Sequence, residues 1–329
     1  MHATTFIAVL IVLLAGAVIV VPLASEAQQP TRPARVVWVQ GGTPELGRAN
    51  AEAFRAGLKD YGHVDGQNII LEIRYAEGRL ERIPQLLSEL LQQKVDVILA
   101  GGYQNMLVAR NATSTIPIVG VACDPVEALV ASIARPGGNV TGVTCVSSEL
   151  AMKRVQLFHE ALPGLSKGAV LYNPGDPNKA IELKDTEAAA RALGLTLKPV
   201  EVRRPDELEA AFAAMRREGI QAVITLMDLF TYSHRQRIVE LARKERLAGM
   251  YGFSDFVEGG GLLSYGTNIL GMFRRAAFYV DRILKGTKPG DLPIEQPTQF
   301  ELVINLKTAK ALRLTIPPTV LQRADQVIE

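Results

Sequence analysis

The chain has 329 residues, of which 48% are hydrophobic and 21% are charged, so it is a globular chain too long for one typical domain. Its 36 Lys and Arg residues nearly balance its 34 Asp and Glu residues, and like charges form no long runs, which argues against a nucleic-acid-binding surface. We therefore expect two domains whose interior surfaces, rather than a charged patch, carry the function.

The N-terminus has the pattern of an export signal. Residues 6–23 are apolar and uncharged, and small residues follow at Ser25 and Ala27. This predicts a signal peptide over residues 1–27 and a polar linker over residues 28–34. No Lys or Arg precedes the apolar run, which is nearly long enough to span a bilayer, so an uncleaved anchor is the alternative. In either case we expect the bulk of the chain to be exported to the periplasm.

Strands and helices alternate after the linker. Short β-branched runs predict strands at residues 36–39, 69–75, 95–100, 116–121 and 140–146. Apolar residues at helical spacing predict helices at residues 45–61, 80–93, 103–111 and 149–162.

The same order then begins again. Further strands are predicted at residues 169–172, 195–202, 222–226, 248–253, 262–265 and 300–304. Further helices are predicted at residues 178–193, 205–217, 230–246, 269–284 and 306–312, with a flexible turn at residues 257–261. The order strand, helix, Gly, strand, helix, strand occurs once around Gly62 and once around Gly194, which indicates an internal duplication. We therefore predict two doubly wound, Rossmann-like α/β lobes.

Glycines mark two strand ends in the first half. Ligands of open α/β sheets bind beyond the carboxyl ends of the strands, where glycine allows close approach and helix N-termini offer free N–H groups. Gly102 and Gly42 are therefore candidates for anion capture, although each also fits a simple tight turn. Thr43 offers a hydroxyl to a ligand or, alternatively, caps the following helix.

Polar and aromatic residues at other strand ends complete the candidate set. Asp124 and Asp228 are expected to face each other across a cleft and hold an ammonium, or alternatively to be turn or cap residues. Asn173 suits a zwitterion or a helix cap, and Tyr103 and Phe253 suit stacking on a flat ligand or burial in the core. The candidate ligand-binding residues are Gly42, Thr43, Gly102, Tyr103, Gln104, Asp124, Asn173, Asp228, Phe253 and Ser254.

The two cysteines follow strand ends that are predicted neighbours. Cys123 and Cys145 therefore suit a disulfide in an oxidising compartment, or alternatively two buried thiols. Neither has the His or Cys companions of a metal site or a catalytic thiol. A phosphate-binding loop, a nucleophile elbow and metal-ligand spacing are also missing from the sequence, so we expect no enzymatic activity and no cofactor.

Six segments of the sequence resemble one protein family over most of the chain. They are FRAGLKDYGHVDGQNIILEIRYAEG, ATSTIPIVGVACDPV, ARPGGNVTGV, LYNPGDPN, MYGFSDFVEGGGLLSYGTN and PTQFELVINLKTAKALRLTIPP. From residue 36 onward the chain is similar to ABC transporter substrate-binding proteins of the tryptophan and tyrosine type. The resemblance implies a type I periplasmic binding protein, which encloses its ligand between two lobes joined by three hinge crossings.

The resemblance also places the lobes and the hinge. The crossings are expected near residues 143–147, 263–267 and 298–302. The first lobe is then expected at residues 35–145 plus 266–298, and the second at residues 146–265 plus 299–329.

The implied function is that of an exported, monomeric solute-binding protein. It would close on a small amino acid or an organic or aromatic acid and deliver it to an ABC permease in the inner membrane. A ligand sensor with the same fold and an enzyme that uses the cleft are the alternatives. Tyr103 and Cys123 depart from the residues common in the family at those strand ends, so the ligand is expected to differ from that of characterised members.

Overall fold

The computed structural model describes residues 32–123, 126–145 and 147–329. The predicted signal peptide, most of the predicted linker and Asp124 lie outside these residues. Within them, no helix has both the length and the apolar character needed to cross a membrane.

The first sheet is parallel and has five strands in the order β2-β1-β3-β4-β5. These strands are β1 (Ala34–Gln40), β2 (Ile69–Tyr75), β3 (Val97–Gly101), β4 (Ile118–Ala122) and β5 (Val140–Thr144). The helices that connect them are α1 (Pro44–Asp60), α2 (Ile83–Leu91) and α3 (Tyr103–Ala112). Strand β4 is buried along its whole length, as expected for a parallel strand covered on both faces.

The second sheet has seven strands in the order β12-β11-β10-β9-β8-β6-β7. They are β6 (Lys167–Tyr172), β7 (Thr196–Glu201), β8 (Ala222–Thr225), β9 (Ala248–Tyr251), β10 (Leu263–Gly266), β11 (Glu301–Asn305) and β12 (Gln326–Ile328). All neighbours are parallel except β10 and β11, which are antiparallel.

Nine helices accompany the second half of the described chain. They are α4 (Ser147–Ala161), α5 (Lys179–Ala192), α6 (Leu208–Arg217), α7 (Leu229–Ser233), α8 (Arg235–Lys244), α9 (Ser254–Glu258), α10 (Ile269–Leu284), α11 (Leu306–Leu312) and α12 (Pro318–Leu321). We call the first sheet with α1, α2, α3 and α10 the first lobe, and the second sheet with its remaining helices the second lobe.

Helix α10 follows a strand of the second sheet but packs on α1 in the first lobe. Gly57 permits this contact, because a Cβ at that position would lie 2.3 Å from the carbonyl oxygen of Arg274. After α10 the chain stays in the first lobe, where the Glu295 N–H donates to Gly142 O at 3.0 Å, and it then enters the second sheet at β11. The chain thus passes between the lobes after β5, after β10 and before β11.

Two local predictions were wrong. The predicted helix at residues 230–246 is two helices, because α7 ends at Ser233 and α8 begins at Arg235. The ring Nδ1 of His234, between them, lies 2.8 Å from Phe230 O and supplies a side-chain partner at the break. The flexible turn predicted at residues 257–261 is also wrong at its start, because its first two residues belong to α9, which continues to Glu258.

The remaining strands and long helices lie close to their predicted bounds, and the two sheets confirm the predicted class of two doubly wound α/β lobes. The structure also decides between the two states considered for the cysteines. Cys123 and Cys145 form a disulfide that joins the ends of β4 and β5.

Candidate functional site

A partly open cavity lies between the lobes, at the carboxyl ends of the strands in the first sheet. The cavity has a volume of about 70 Å³, which is room for several water molecules at roughly 10–15 Å³ each. The first lobe contributes Trp38, Gln40, Gly41, Gly42, Leu46, Gly47, Asn50, Gly101, Gly102, Asn105, Val121, Ala122, Cys123, Ile269 and Phe273. The second lobe contributes Met227, Asp228, Leu229, Tyr232, Ser233, Arg235 and Phe253.

Tyr232 connects the two lobes at the wall of this cavity. Its hydroxyl accepts a hydrogen bond from Asn50 Nδ2 in the first lobe at 3.1 Å and donates to Asp255 Oδ1 in the second lobe at 3.1 Å. Burial, and then the negative charge of Asp255, raises the pKa of Tyr232 above its ordinary value. The phenol therefore stays neutral and keeps the proton that it donates.

Arg235 makes a second contact between the lobes. Its Nη2 donates to Leu46 O of the first lobe at 2.6 Å, and its Nη1 donates to Tyr232 O at 3.1 Å. The guanidinium also lies 4.4 Å from the centroid of the Tyr232 ring, within the range of a cation–π interaction. These contacts hold a positive charge at the cavity wall beside α1.

Two glycines allow the lobes to approach each other here. A Cβ at Gly41 would lie 2.4 Å from Ser233 Oγ, and a Cβ at Gly102 would lie 3.3 Å from Leu229 Cβ. Gly102 also has a φ of +86°, which side chains of L-residues rarely adopt, and it precedes α3 without a side-chain cap. Helix α3 therefore begins at the cavity with its first backbone N–H groups uncapped by a side chain.

Asp228 places a carboxylate on the wall contributed by the second lobe. It is the N-cap of α7, where its Oδ1 accepts from the Thr231 N–H at 2.7 Å. The residue is 6% exposed and lines the cavity. It can therefore cap a helix with one oxygen and present negative charge to the cavity at the same time.

A buried ionic cluster lies behind the same wall. Lys179 Nζ donates to Met227 O at 2.8 Å and to Glu182 Oε2 at 2.6 Å. Glu182 also pairs with Arg154, whose Nε donates to Tyr265 O in β10 at 2.9 Å. Burial lowers the pKa of Arg154 from its ordinary value. The cluster thus links the cavity wall at Met227 to the strand from which the chain leaves the second lobe.

Four of the predicted site residues line the cavity, namely Gly42 and Gly102 from the first lobe and Asp228 and Phe253 from the second. Phe253 packs edge-on against Tyr232, with ring centroids 5.6 Å apart. The structure therefore brings together residues that are far apart in the sequence but that each follow a strand.

The other described candidates are not part of this lining. Thr43 caps α1, since its Oγ1 accepts from the Leu46 N–H at 3.4 Å. Tyr103 is 6% exposed and packs in the apolar core of the first lobe, with Val37 and Ile98. Asn173 accepts from the Gly175 N–H at 2.9 Å within a turn.

Gln104 and Ser254 are half-buried and also lie outside the lining, and Asp124 lies outside the described residues.

Sequence reasoning missed several polar residues of the cavity, chiefly Trp38, Asn50, Asn105 and Arg235. Trp38 lies within an apolar strand and has the pattern of a core residue, and the two asparagines lie inside helices. Arg235 was not among the candidates because the segment around it was predicted as one continuous helix. Proximity to a strand end was the available signal for Trp38 and Asn105. Among the described residues, no cluster of three or more His, Cys, Asp or Glu is arranged to hold a metal ion.

Comparison with known proteins gives consistent results. Residues 47–328 match the model of a family described as ABC transporter substrate binding protein. A tyrosine-binding protein of Clostridioides difficile is 27% identical over 272 residues, which is 82% of this chain and 77% of that protein.

Two solved structures superpose closely on this chain. A conserved domain protein from Vibrio cholerae is 28% identical with a TM-score of 0.83, over 90% of this chain and 100% of the other. An ABC domain from Streptococcus pneumonia in complex with L-Trp is 25% identical with a TM-score of 0.82, over the same shares. These superpositions confirm the predicted type I periplasmic binding protein fold.

Proposed function

This chain belongs to the ABC transporter substrate-binding protein family, as its sequence predicted, and on that premise we propose that its inter-lobe cavity binds a small amino acid or an organic or aromatic acid. The observation that carries the proposal is a cavity with opposite charges on an otherwise largely apolar wall. Asp228 supplies the negative charge and Arg235 the positive one. A zwitterionic or acidic ligand with an apolar body is complementary to such a wall.

The ligand's charged groups have distinct partners in this proposal. Asp228 holds an ammonium group, while Arg235 and the backbone beside Gly42, at the start of α1, face a carboxylate. The positive end of a helix and a guanidinium both favour an anion. Gly42 and Gly102 leave the backbone open to the ligand, and Phe253 packs on its apolar part. This assignment is supported by the known ligands of similar proteins, one of which is named for tyrosine and one of which was solved with L-Trp.

Binding is coupled to lobe closure in this proposal. Residues from both lobes line the cavity, so a ligand gains its full set of contacts only when the lobes are together. The closed protein then delivers the ligand to an ABC permease of the inner membrane, and residues 1–27 direct its export to the periplasm. We propose a carrier role because the described lining residues supply charged, polar and apolar binding groups and the family consists of substrate-binding proteins.

The test is a thermal-shift screen of the mature chain, residues 28–329, followed by calorimetry. The library contains amino acids, aromatic acids and small carboxylates. A ligand that binds only the folded state adds about 2.7 kcal/mol of stability at a hundredfold excess over its dissociation constant. Absence of any binder across this library would overturn the proposed ligand class.

A matched pair of variants tests the role of Asp228. Asp228→Asn keeps the Oδ1 that caps α7 but removes the charge, and we expect affinity for ammonium-bearing ligands to fall about 10- to 100-fold, the effect of about 1.5–3 kcal/mol for a charged hydrogen bond. The control is Asp206→Asn, an exposed carboxylate that pairs with Arg204. Equal affinity in the two variants would refute the assignment.

A further inference from the structure

A histidine lies in the contact between the two lobes. Helix α7 of the second lobe lies against Gly41 and Gly102 of the first, and His234, directly after α7, lies against Gly78. A Cβ on Gly78 would be only 2.8 Å from His234 Nε2 and 3.4 Å from its Cε1. The edge of the imidazole ring therefore touches the backbone of the other lobe.

The segment that carries Gly78 follows β2 and is held in the first lobe by its backbone. The N–H of Glu77 donates to Gly42 O at 3.0 Å, and the N–H of Gly78 donates to Gly41 O at 2.8 Å. Gly78 has a φ of +79°, which glycine adopts without strain. This backbone is therefore fixed beside the cavity, and it meets His234 with no side chain between them.

The other ring nitrogen shows which atom takes up a proton. His234 Nδ1 lies 2.8 Å from Phe230 O, and a carbonyl oxygen only accepts hydrogen bonds, so we assign the hydrogen of the neutral ring to Nδ1. An added proton then binds at Nε2, the atom that lies against Gly78. Protonation therefore places both a hydrogen and a positive charge in the contact between the lobes.

The elements packed against His234 carry more cations than anions. Their charged residues are Glu77, Arg79 and Arg82 of the first lobe and Asp228, Arg235 and Arg237 of the second. Glu77 already pairs with both of its arginine neighbours, at 3.2 and 3.1 Å, and the Asp228 carboxylate accepts from the N–H of Thr231. Tyr232, also on α7, is a neutral phenol. A positive charge on the His234 ring would therefore add to a local excess of positive charge.

Burial in this contact favours the neutral ring. It lowers the pKa of His234, and the hydrogen bond to Phe230 O offsets this only in part. When the lobes separate, water reaches Nε2 and the ring regains the proton affinity of an ordinary histidine. Protonation therefore favours the open form as the pH falls through the range in which an ordinary histidine titrates.

We propose that the contact between His234 and Gly78 makes closure of the lobes sensitive to acid, so that protonation of His234 opens the protein and lowers its affinity for ligand. The inference goes beyond the proposed function, and it rests on that function only where ligand binding is the readout. It concerns when the lobes close rather than which ligand they enclose.

Calorimetry of the unaltered mature chain tests the inference with the strongest binder of the library. An ordinary histidine has a pKa of about 6.5, so we expect affinity to fall about 3- to 10-fold between about pH 8 and about pH 5.5. An ordinary carboxylate titrates below this range. Equal affinity at the two pH values would overturn the inference, while the binding itself would support the proposed function.

A pair of variants separates the titration of His234 from its packing. His234→Asn keeps an N–H that can donate to Phe230 O but takes up no proton in this pH range, so its affinity should be the same at both pH values. The control is His63→Asn, which removes a histidine that lies 2.9 Å from Asp281 within the first lobe, and it should keep the pH dependence. If His234→Asn keeps the full pH dependence, the inference is wrong. Should this variant fail to fold, the comparison of pH values on the unaltered chain decides.

Small-angle scattering of the ligand-free protein gives a second test that needs no ligand. We expect the radius of gyration to be larger at about pH 5.5 than at about pH 8 in the unaltered protein, and to be the same at both pH values in His234→Asn. Circular dichroism at both pH values checks that the lobes stay folded. An unchanged radius in the unaltered protein would overturn the inference. If the radius changes as expected but no member of the library binds, the proposed ligand class fails and the inference stands.

Discussion

Removing the hydroxyl of Tyr232 is expected to weaken closure of the lobes without unfolding either of them. This hydroxyl bridges Asn50 in the first lobe to Asp255 in the second. In Tyr232→Phe both partners lose a hydrogen bond in the closed form. When the lobes separate, water can replace the hydroxyl for both groups, so the cost falls mainly on the closed form.

The expected size of the effect follows from the two bonds. A hydrogen bond contributes about 0.5–1.5 kcal/mol, and a buried partner left unsatisfied costs about 1–3 kcal/mol. Asp255 is only half-buried, so water can hydrate it after the hydroxyl is removed. We therefore expect the closed form to be destabilised by about 1–2 kcal/mol in total, which is a factor of about 5 to 30 in the closure equilibrium. If ligand binds the closed form, the apparent affinity falls by up to the same factor.

Two measurements check this prediction. Small-angle scattering of the free and ligand-saturated protein measures compaction, and calorimetry with the strongest binder of the library measures affinity. The control is Tyr172→Phe, which removes a hydroxyl that donates to Glu201 Oε1 at 2.9 Å within the second lobe. We expect this control to leave both compaction and affinity unchanged.

One result would refute the reasoning about Tyr232. If Tyr232→Phe closes and binds like the unaltered protein, the contact between the lobes makes no net contribution to closure. If affinity falls instead, a double-mutant cycle with Asn50→Ala distinguishes loss of this contact from loss of a direct contact between Tyr232 and the ligand, because only the former predicts coupling between the two residues.

Three further predictions concern stability. Replacing Cys123 and Cys145 by Ser opens a crosslink between residues 22 apart and should cost about 3 kcal/mol in the free energy of unfolding, measured with urea. Lys179→Met removes one cation from the buried cluster around Glu182 and should cost about 3–5 kcal/mol, measured in the same way. Burial raises the pKa of Asp176 above its unfolded value, so its charged form destabilises the fold at neutral pH. Asp176→Asn should therefore stabilise the protein near neutral pH, and the gain should vanish as the pH falls below the range in which an unfolded Asp titrates, measured by urea unfolding across pH.

Each of these predictions has a control or a contrary outcome. The Cys double variant should match the reduced, unaltered protein, and a difference between them would point to a packing effect of Ser. For Lys179→Met, a decrease of less than about 1 kcal/mol in the free energy of unfolding would contradict the prediction, because it would show that the cluster tolerates removal of a partner. For Asp176→Asn, a gain in the free energy of unfolding that did not change with pH would show that titration of the carboxyl is not its cause.

Much of the fold could be predicted because its signals are local. Apolar runs of four to eight residues and helical periodicity depend only on neighbours in the chain, and they placed strands such as β4 and helices such as α10 close to their observed bounds. The same logic placed Gly42, Gly102 and Asp228 at the cavity, because the carboxyl ends of strands in doubly wound sheets share one edge.

The break at His234 was not predictable from the same signals. The apolar spacing continues through it, and the hydrogen bond that accompanies the break joins the ring of His234 to Phe230 O. A side-chain bond of this kind competes with the helical pattern without changing the hydrophobic periodicity.

What the sequence determined by itself is therefore the order of most elements, the two lobes and the sheet edge at which the cavity lies. The tertiary structure decided which side chains meet there. Tyr103 and Asn105 both lie in the first turn of α3, yet Tyr103 packs into the core and Asn105 lines the cavity. The rotation of the helix about its axis on the sheet decides which of the two side chains faces the core. Tyr232 contacts Asn50 across 182 residues, and such a pairing depends on how the lobes pack rather than on any local pattern.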